Sequence, residues 1–146
     1  MVDGPFHKFL RLPAADRSLL LHSVLLVGAA RLALWVLPFN TARRLFGRRT
    51  RHSGDQVPSI ERIGWAISVA KTFVPKGNCL PQALAAESLL GQSGYPVELR
   101  IGVAKRVDGG LEAHAWVESA GRLVVGDLTQ GLDTYTPLPP LPSVGR

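Results

Sequence analysis

The hydrophobic period of this chain changes once, between Gly94 and Val97. Before that point apolar residues recur at helical spacing, as in Ile60, Ile63, Ile67, Ala70 and Val74. After it, Val97, Leu99, Ile101 and Val103 alternate with Glu98, Arg100 and Gly102, the pattern of a half-buried strand. Two more strand runs follow, Glu112–Glu118 and Arg122–Asp127, reached through Asp108-Gly109-Gly110 and Ser119-Ala120-Gly121. Helices first and strands after, joined by tight turns, predict an α+β fold: N-terminal helices and one further helix packed on a small antiparallel sheet.

The helical part has three predicted elements. The first runs from about Ala14 to Leu37 and ends at Pro38. Its Leu19–Leu37 stretch is the most hydrophobic of the chain and long enough to suggest a membrane span. Arg31 within it would be costly at mid-membrane, so the expectation is a helix largely buried against the rest of the domain. A peripheral membrane contact is the weaker alternative. The second helix covers Pro58–Phe73, with Pro58 in its first turn. The third covers Cys79 to about Leu90, with Asn78 as N-cap and Gly91 and Gly94 as the stop. From Thr136 the tail is too rich in proline for a helix or a central strand.

At 146 residues the chain makes one compact domain. Within it, residues 1–57 form a helical, basic segment, 58–135 the core, and 136–146 the Pro-rich tail. Residues 1–60 hold nine Lys/Arg against three acids, and residues 61–146 hold eight of each. Arg43–Arg51 reads as a solvated connector able to meet an acidic partner or anionic lipid. Nucleic acid is not expected, because aromatic residues are too few to interleave with the arginines as stacking surfaces.

Chemistry concentrates in three residues: Cys79 at a helix start, His114 in Ala113-His114-Ala115-Trp116-Val117, and Asp127 at the end of Val124-Val125-Gly126-Asp127. A thiol, an imidazole and a carboxylate are the parts of a nucleophile, a general base and an orienting group. If Ala120-Gly121 are the centre of a tight hairpin, Ser119 pairs with Arg122. Val117 then faces Val124, Trp116 faces Val125, and His114 faces Asp127. A slip of one residue would separate them. Helix-start amides favour a thiolate at Cys79, and the Cys79 amide is a candidate oxyanion donor. Singly, each residue has a plainer role: a small buried hydrophobe, a hydrogen-bonded strand residue, a turn residue.

The single cysteine excludes an internal disulfide framework and fits a reducing, cytoplasmic setting. No spacing of histidines and carboxylates suggests a metal site, and the glycines form no phosphate-binding fingerprint. No cofactor is expected.

Cys79-Leu80-Pro81-Gln82-Ala83-Leu84, then Gly94-Tyr95-Pro96-Val97-Glu98-Leu99-Arg100-Ile101-Gly102-Val103, then Ala113-His114-Ala115-Trp116-Val117-Glu118 together resemble the transglutaminase-like leader peptidases of lasso-peptide biosynthesis. The resemblance implies a transglutaminase/papain-like fold and a cysteine protease that cuts a ribosomally made precursor between leader and core. It assigns Cys79 as nucleophile, His114 as general base and then acid, and Asp127 as the residue orienting His114. It implies three partners: the precursor peptide, a separate winged-helix leader-binding protein, since residues 1–60 show no strand pattern for such a domain, and an ATP-dependent macrolactam synthetase. Another acyltransferase on the same scaffold, or a non-catalytic adaptor presenting precursor to the synthetase, are the alternatives.

Overall fold

The computed structural model describes residues 5–46, 57–70, 79–126 and 135–139. Among these, the helices are α1 (Pro5–Leu10), α2 (Ala14–Val36), α3 (Phe39–Phe46), α4 (Ile60–Ala70) and α5 (Cys79–Gln92). The strands are β1 (Glu98–Lys105), β2 (Leu111–Ser119), β3 (Arg122–Val125) and β4 (Thr136–Pro137). They form one antiparallel sheet in the order β3-β2-β1-β4. The α+β architecture expected from the period change is the one observed.

α5 is the centre of the molecule. It lies between α2, α3 and α4 on one side and the sheet on the other, and Ala83 through Leu90 are buried without a break. A helix covered on all sides has no polar face to present, which is why its sequence is mostly apolar and its buried Glu87 is paired with Arg43. Its end is fixed by Gly94, whose φ of +83° is the left-handed turn that glycine permits. Tyr95 N–H donates to the Leu90 carbonyl at 3.0 Å and Gly94 N–H to that of Gly91 at 3.1 Å, closing the last turn. Gly91 therefore lies within the helix, and Gly94 alone is the terminator.

The start of α4 differs from the expectation that Pro58 occupies its first turn. Ser59 is the N-cap: its carbonyl accepts the Ile63 N–H at 3.0 Å and its hydroxyl accepts the Arg62 N–H at 3.2 Å. Pro58 stands one residue outside, where its carbonyl accepts the Tyr95 hydroxyl at 2.9 Å.

The reading of Arg43–Arg51 as a solvated connector is corrected at its first two residues. Arg43 and Arg44 belong to α3, where Phe39, Ala42, Arg43 and Phe46 share a helical face turned inward. Arg43 is only 5% exposed, because its guanidinium meets the Glu87 carboxylate of α5, Nη2 to Oε1 at 2.9 Å. Arg48, Arg49 and Arg51 lie outside the described residues.

Largely buried is also not what α2 is. α4 and α5 cover one face, on which Leu20, Ser23, Val27 and Ala30 are buried. The opposite face is exposed along the helix, at Leu21, Leu25, Leu32, Trp35 and Val36. The stop is as expected: Leu37 is extended (φ −115°, ψ 152°), as a residue before proline must be.

The β2–β3 hairpin turns as predicted through Ala120 (φ +51°) and Gly121 (φ +78°), and Ser119 pairs with Arg122. Beyond it the register departs from the simple count. Glu118 pairs with Leu123, but Val117 pairs with Val125, so Val124 is an extra residue in β3. The cause is burial. Without the bulge Val125 would oppose Trp116 and point away from the helices; with it, Val125 joins Val117 in the helix-facing core. Val124 instead lies against α4, where Gly64 leaves room for its carbonyl. The counting that set His114 opposite Asp127 thus loses its premise, and Asp127 itself lies outside the described residues.

The proline-rich tail contributes an edge strand. Thr136 and Pro137 pair with Val103 and Gly102 of β1, and Leu138 N–H donates to the Ile101 carbonyl at 2.8 Å. An edge is the position a sheet allows to proline, which has no N–H to donate.

Candidate active site

α5 begins at Cys79, so the thiol stands where backbone amides have no intrahelical acceptor and the helix dipole is positive. Asn78, the expected N-cap, lies outside the described residues. The sulfur is partly buried and accepts a hydrogen bond from the Ala115 N–H of β2, N to Sγ 3.3 Å. The described pairing of β2 with β3 ends at Val117 and Val125. Two residues along β2, Ala115 gives its amide to sulfur. A helix start and a strand amide both direct positive dipole ends at one atom.

His114 is the neighbour of Ala115. Strand alternation sends Ala115 and Val117 toward α5, and His114 and Trp116 toward the opposite face of the sheet. There the imidazole packs beside two aromatic rings. Its centroid is 5.3 Å from that of Tyr135 at 28°, and 6.3 Å from that of Trp116 at 22°. Trp116 is itself oriented by its indole N–H, which donates to Glu118 Oε1 at 3.0 Å. Trp116 is core, 2% exposed, in a small cluster with Ala104 and Tyr135.

Two glycines make space for that cluster. Gly102 is the β1 partner of His114, and a Cβ there would stand 2.8 Å from the Trp116 ring and 3.0 Å from Tyr135 Cβ. Gly126 (φ +133°) passes so close that a Cβ would meet Trp116 Cβ at 2.5 Å. The Gly102 of Ile-Gly-Val and the Trp116 of His-Ala-Trp-Val-Glu are thus two halves of one packing arrangement.

Cys79 and His114 line the same open cavity, of about 620 Å³. Gly126, which precedes Asp127 in sequence, lines it too, as do Gln82 and Glu112. Cys79 and His114 border one cavity; the placement of Asp127 lies outside what is described. Among the described residues no group of three or more His, Cys, Asp or Glu side chains is arranged to hold a metal ion.

Residues 24–139 match the transglutaminase-like superfamily. The chain belongs to that superfamily. No curated protein and no solved structure gives a match. The matched span begins within α2 and ends beyond β4, so it takes in α5, the whole sheet and all three predicted site residues.

Three residues of this transglutaminase-like chain that bear on the cavity or on His114 escaped the sequence reading. Gln82 follows Cys79 by one helical turn, and Glu112 precedes His114 by one strand period, so spacing could have found both. Tyr135 had no local signal, since it reaches His114 only because Thr136 and Pro137 pair with β1. Further along α5 from Cys79, the Arg43–Glu87 pair ties α3 to the middle of the helix. Burial pushes the Glu87 carboxyl above its ordinary pKa, opposed by the hydrogen bond and charge of Arg43.

Proposed function

We propose that this transglutaminase-like protein is a cysteine protease that removes the leader from a ribosomally synthesised lasso precursor peptide. The observation that carries the reading is the Ala115 N–H to Cys79 Sγ contact, which sets the sulfur one residue from His114 in a shared cavity. The chain's superfamily is associated with lasso-peptide leader peptidase systems, and the motifs around Cys79, Gly102 and His114 support the same assignment.

In this reading Cys79 reacts as thiolate and His114 as its imidazolium partner, with Asp127 holding the ring. The thiolate attacks the carbonyl at the leader–core junction, and the oxyanion takes a hydrogen bond from the Cys79 amide. His114 protonates the departing core amine, and the C–N bond breaks to leave a leader thioester. Neutral His114 then takes a proton from water as the water attacks the thioester. The leader leaves as a carboxylic acid, and thiolate and imidazolium are restored. The freed core amine goes on to ring closure by an ATP-dependent macrolactam synthetase, a separate protein. A separate leader-binding protein raises the local concentration of precursor.

The test is mass spectrometry of a candidate precursor incubated with this protein and the leader-binding partner, wild type against Cys79→Ala. Cleavage at one junction, abolished in the variant, supports the protease. Intact precursor with both proteins, while the partner demonstrably binds leader, removes the protease reading in favour of an adaptor.

A further inference from the structure

The outward side of α2 carries no charged residue. Its exposed positions are Ala14, Ala15, Ser18, Leu21, Leu25, Ala29, Leu32, Trp35 and Val36, spaced by three and four so that they form one stripe along the helix. Leu25 is 70% exposed and Trp35 85%. A solvated helix face is ordinarily polar, and a contiguous apolar patch of this kind marks an interaction surface.

The charge around the stripe is of one sign. Residues 5–46 contain Lys8, Arg11, Arg17, Arg31, Arg43 and Arg44 against a single acid, Asp16. Asp16 is engaged by Arg62 of α4, and Arg43 by Glu87. Arg17 and Arg31 stand four residues before Leu21 and Trp35 respectively, so both flank the stripe along one edge. Arg31 lines a groove with Leu32 and Trp35 at the C-terminal end of the helix. Exposed Lys8 and Arg11 precede the stripe, and exposed Arg44 follows it.

A helix with an aliphatic face, a tryptophan near one end and arginines along its border is built to lie in the plane of a lipid surface. The aliphatic side chains enter the acyl boundary, while the arginine stems run beside them and keep their charges at the headgroups. Spanning is a different matter. α2 is long and apolar enough by composition, but its inner face, Leu20, Ser23, Val27 and Ala30, is packed on α4 and α5. Crossing a bilayer would strip that core. The fold leaves the outer face alone for lipid.

We propose that the outer face of α2 docks this protein reversibly, and in plane, on an anionic lipid surface. The proposal does not depend on the chemistry of Cys79.

The experiment is flotation of the full-length protein with vesicles of phosphatidylcholine alone and of phosphatidylcholine mixed with phosphatidylglycerol, in low and high salt. Wild type should float with the anionic vesicles at least about tenfold more than with the neutral ones, and 0.5 M NaCl should reverse most of it. Emission from Trp35 should shift to the blue on binding, an effect that Trp35→Phe removes. The triple variant Leu25→Ser, Leu32→Ser, Trp35→Ser alters only exposed side chains, and circular dichroism verifies its fold. It should lose flotation about tenfold or more. Wild type that floats with neither vesicle, that floats equally with both, or that is unaffected by the triple substitution overturns the proposal. A dimer by light scattering that the triple variant abolishes, without flotation, assigns the stripe to a second copy of the chain and overturns it too.

Discussion

The ring of Tyr135 lies against the imidazole of His114, centroids 5.3 Å apart, although His114 is in β2 and Tyr135 directly precedes β4, a strand that does not adjoin β2. β4 makes this possible. By pairing Pro137 with Gly102, the β1 partner of His114, it sets Tyr135 over the glycine and onto the imidazole. With Trp116 it restricts the ring that the proposed reaction requires to move a proton. Tyr135→Ala should therefore lower kcat by up to about 10²-fold, the scale of a misplaced reacting group. Tyr135→Phe, which keeps the ring and removes the hydroxyl, should stay near wild type. Steady-state cleavage of the precursor by both variants tests this; equal loss in both would mean that the hydroxyl, not the ring, matters.

Gly102→Ala should destabilise the protein. The new methyl would stand 2.8 Å from the Trp116 ring, which is buried and cannot swing out. Overpacking of this kind costs about 1–3 kcal/mol. Urea unfolding followed by tryptophan fluorescence should show a lower midpoint with an unchanged slope. The control Gly109→Ala meets no atom within 4 Å, but its φ of +89° brings a strain of its own. Gly28→Ala, in a helix and equally open, is the cleaner comparison and should be neutral or slightly stabilising.

How much of this was legible in the sequence follows from the range of the interactions. Period, proline and glycine are local signals, and they located α2, α5, β1 and the turn at Ala120-Gly121. That Cys79 opens a helix and that His114 lies in a strand were also legible, because both are set by local pattern. The bulge at Val124 was not, since it answers to which face Val125 must bury and to the approach of α4 at Gly64. Nor was the interior place of Arg43, which rests on a carboxylate 44 residues away. Tyr135 escaped for the same reason.

Ala120 offers a test of the hairpin itself. It holds φ +51°, which an L side chain adopts at a cost of about 1–2 kcal/mol, in a turn that favours Asn-Gly. Ala120→Asn should raise the thermal midpoint, and Ala120→Val, branched at Cβ, should lower it. Calorimetry of the two variants decides; a lower midpoint for asparagine would mean that the turn is held by something other than its own backbone preference.

The Arg43–Glu87 pair makes the strongest prediction about pH. Glu87 has a folded-state pKa raised by burial above its ordinary value, so the folded protein binds a proton more readily there than the unfolded chain does. Its contribution to stability is therefore fully present below the ordinary carboxyl range and declines as pH rises through the raised value. Glu87→Gln should flatten that part of the stability profile, and wild type minus variant should fall with increasing pH in that window. Arg43→Met is a different case. It leaves a carboxylate 8% exposed without its cation, and loss of one partner of a buried pair costs about 3–5 kcal/mol at neutral pH. Because Glu87 sits on the helix that begins at Cys79, this loss should be accompanied by faster alkylation of the sulfur by iodoacetamide as α5 loosens. Adding Glu87→Leu to Arg43→Met removes the stranded charge and should recover most of the stability. Denaturant titrations of the three variants between pH 4 and 8 would show it, and a double variant no more stable than Arg43→Met would mean that the pair's geometry, not its charge balance, holds α3 to α5.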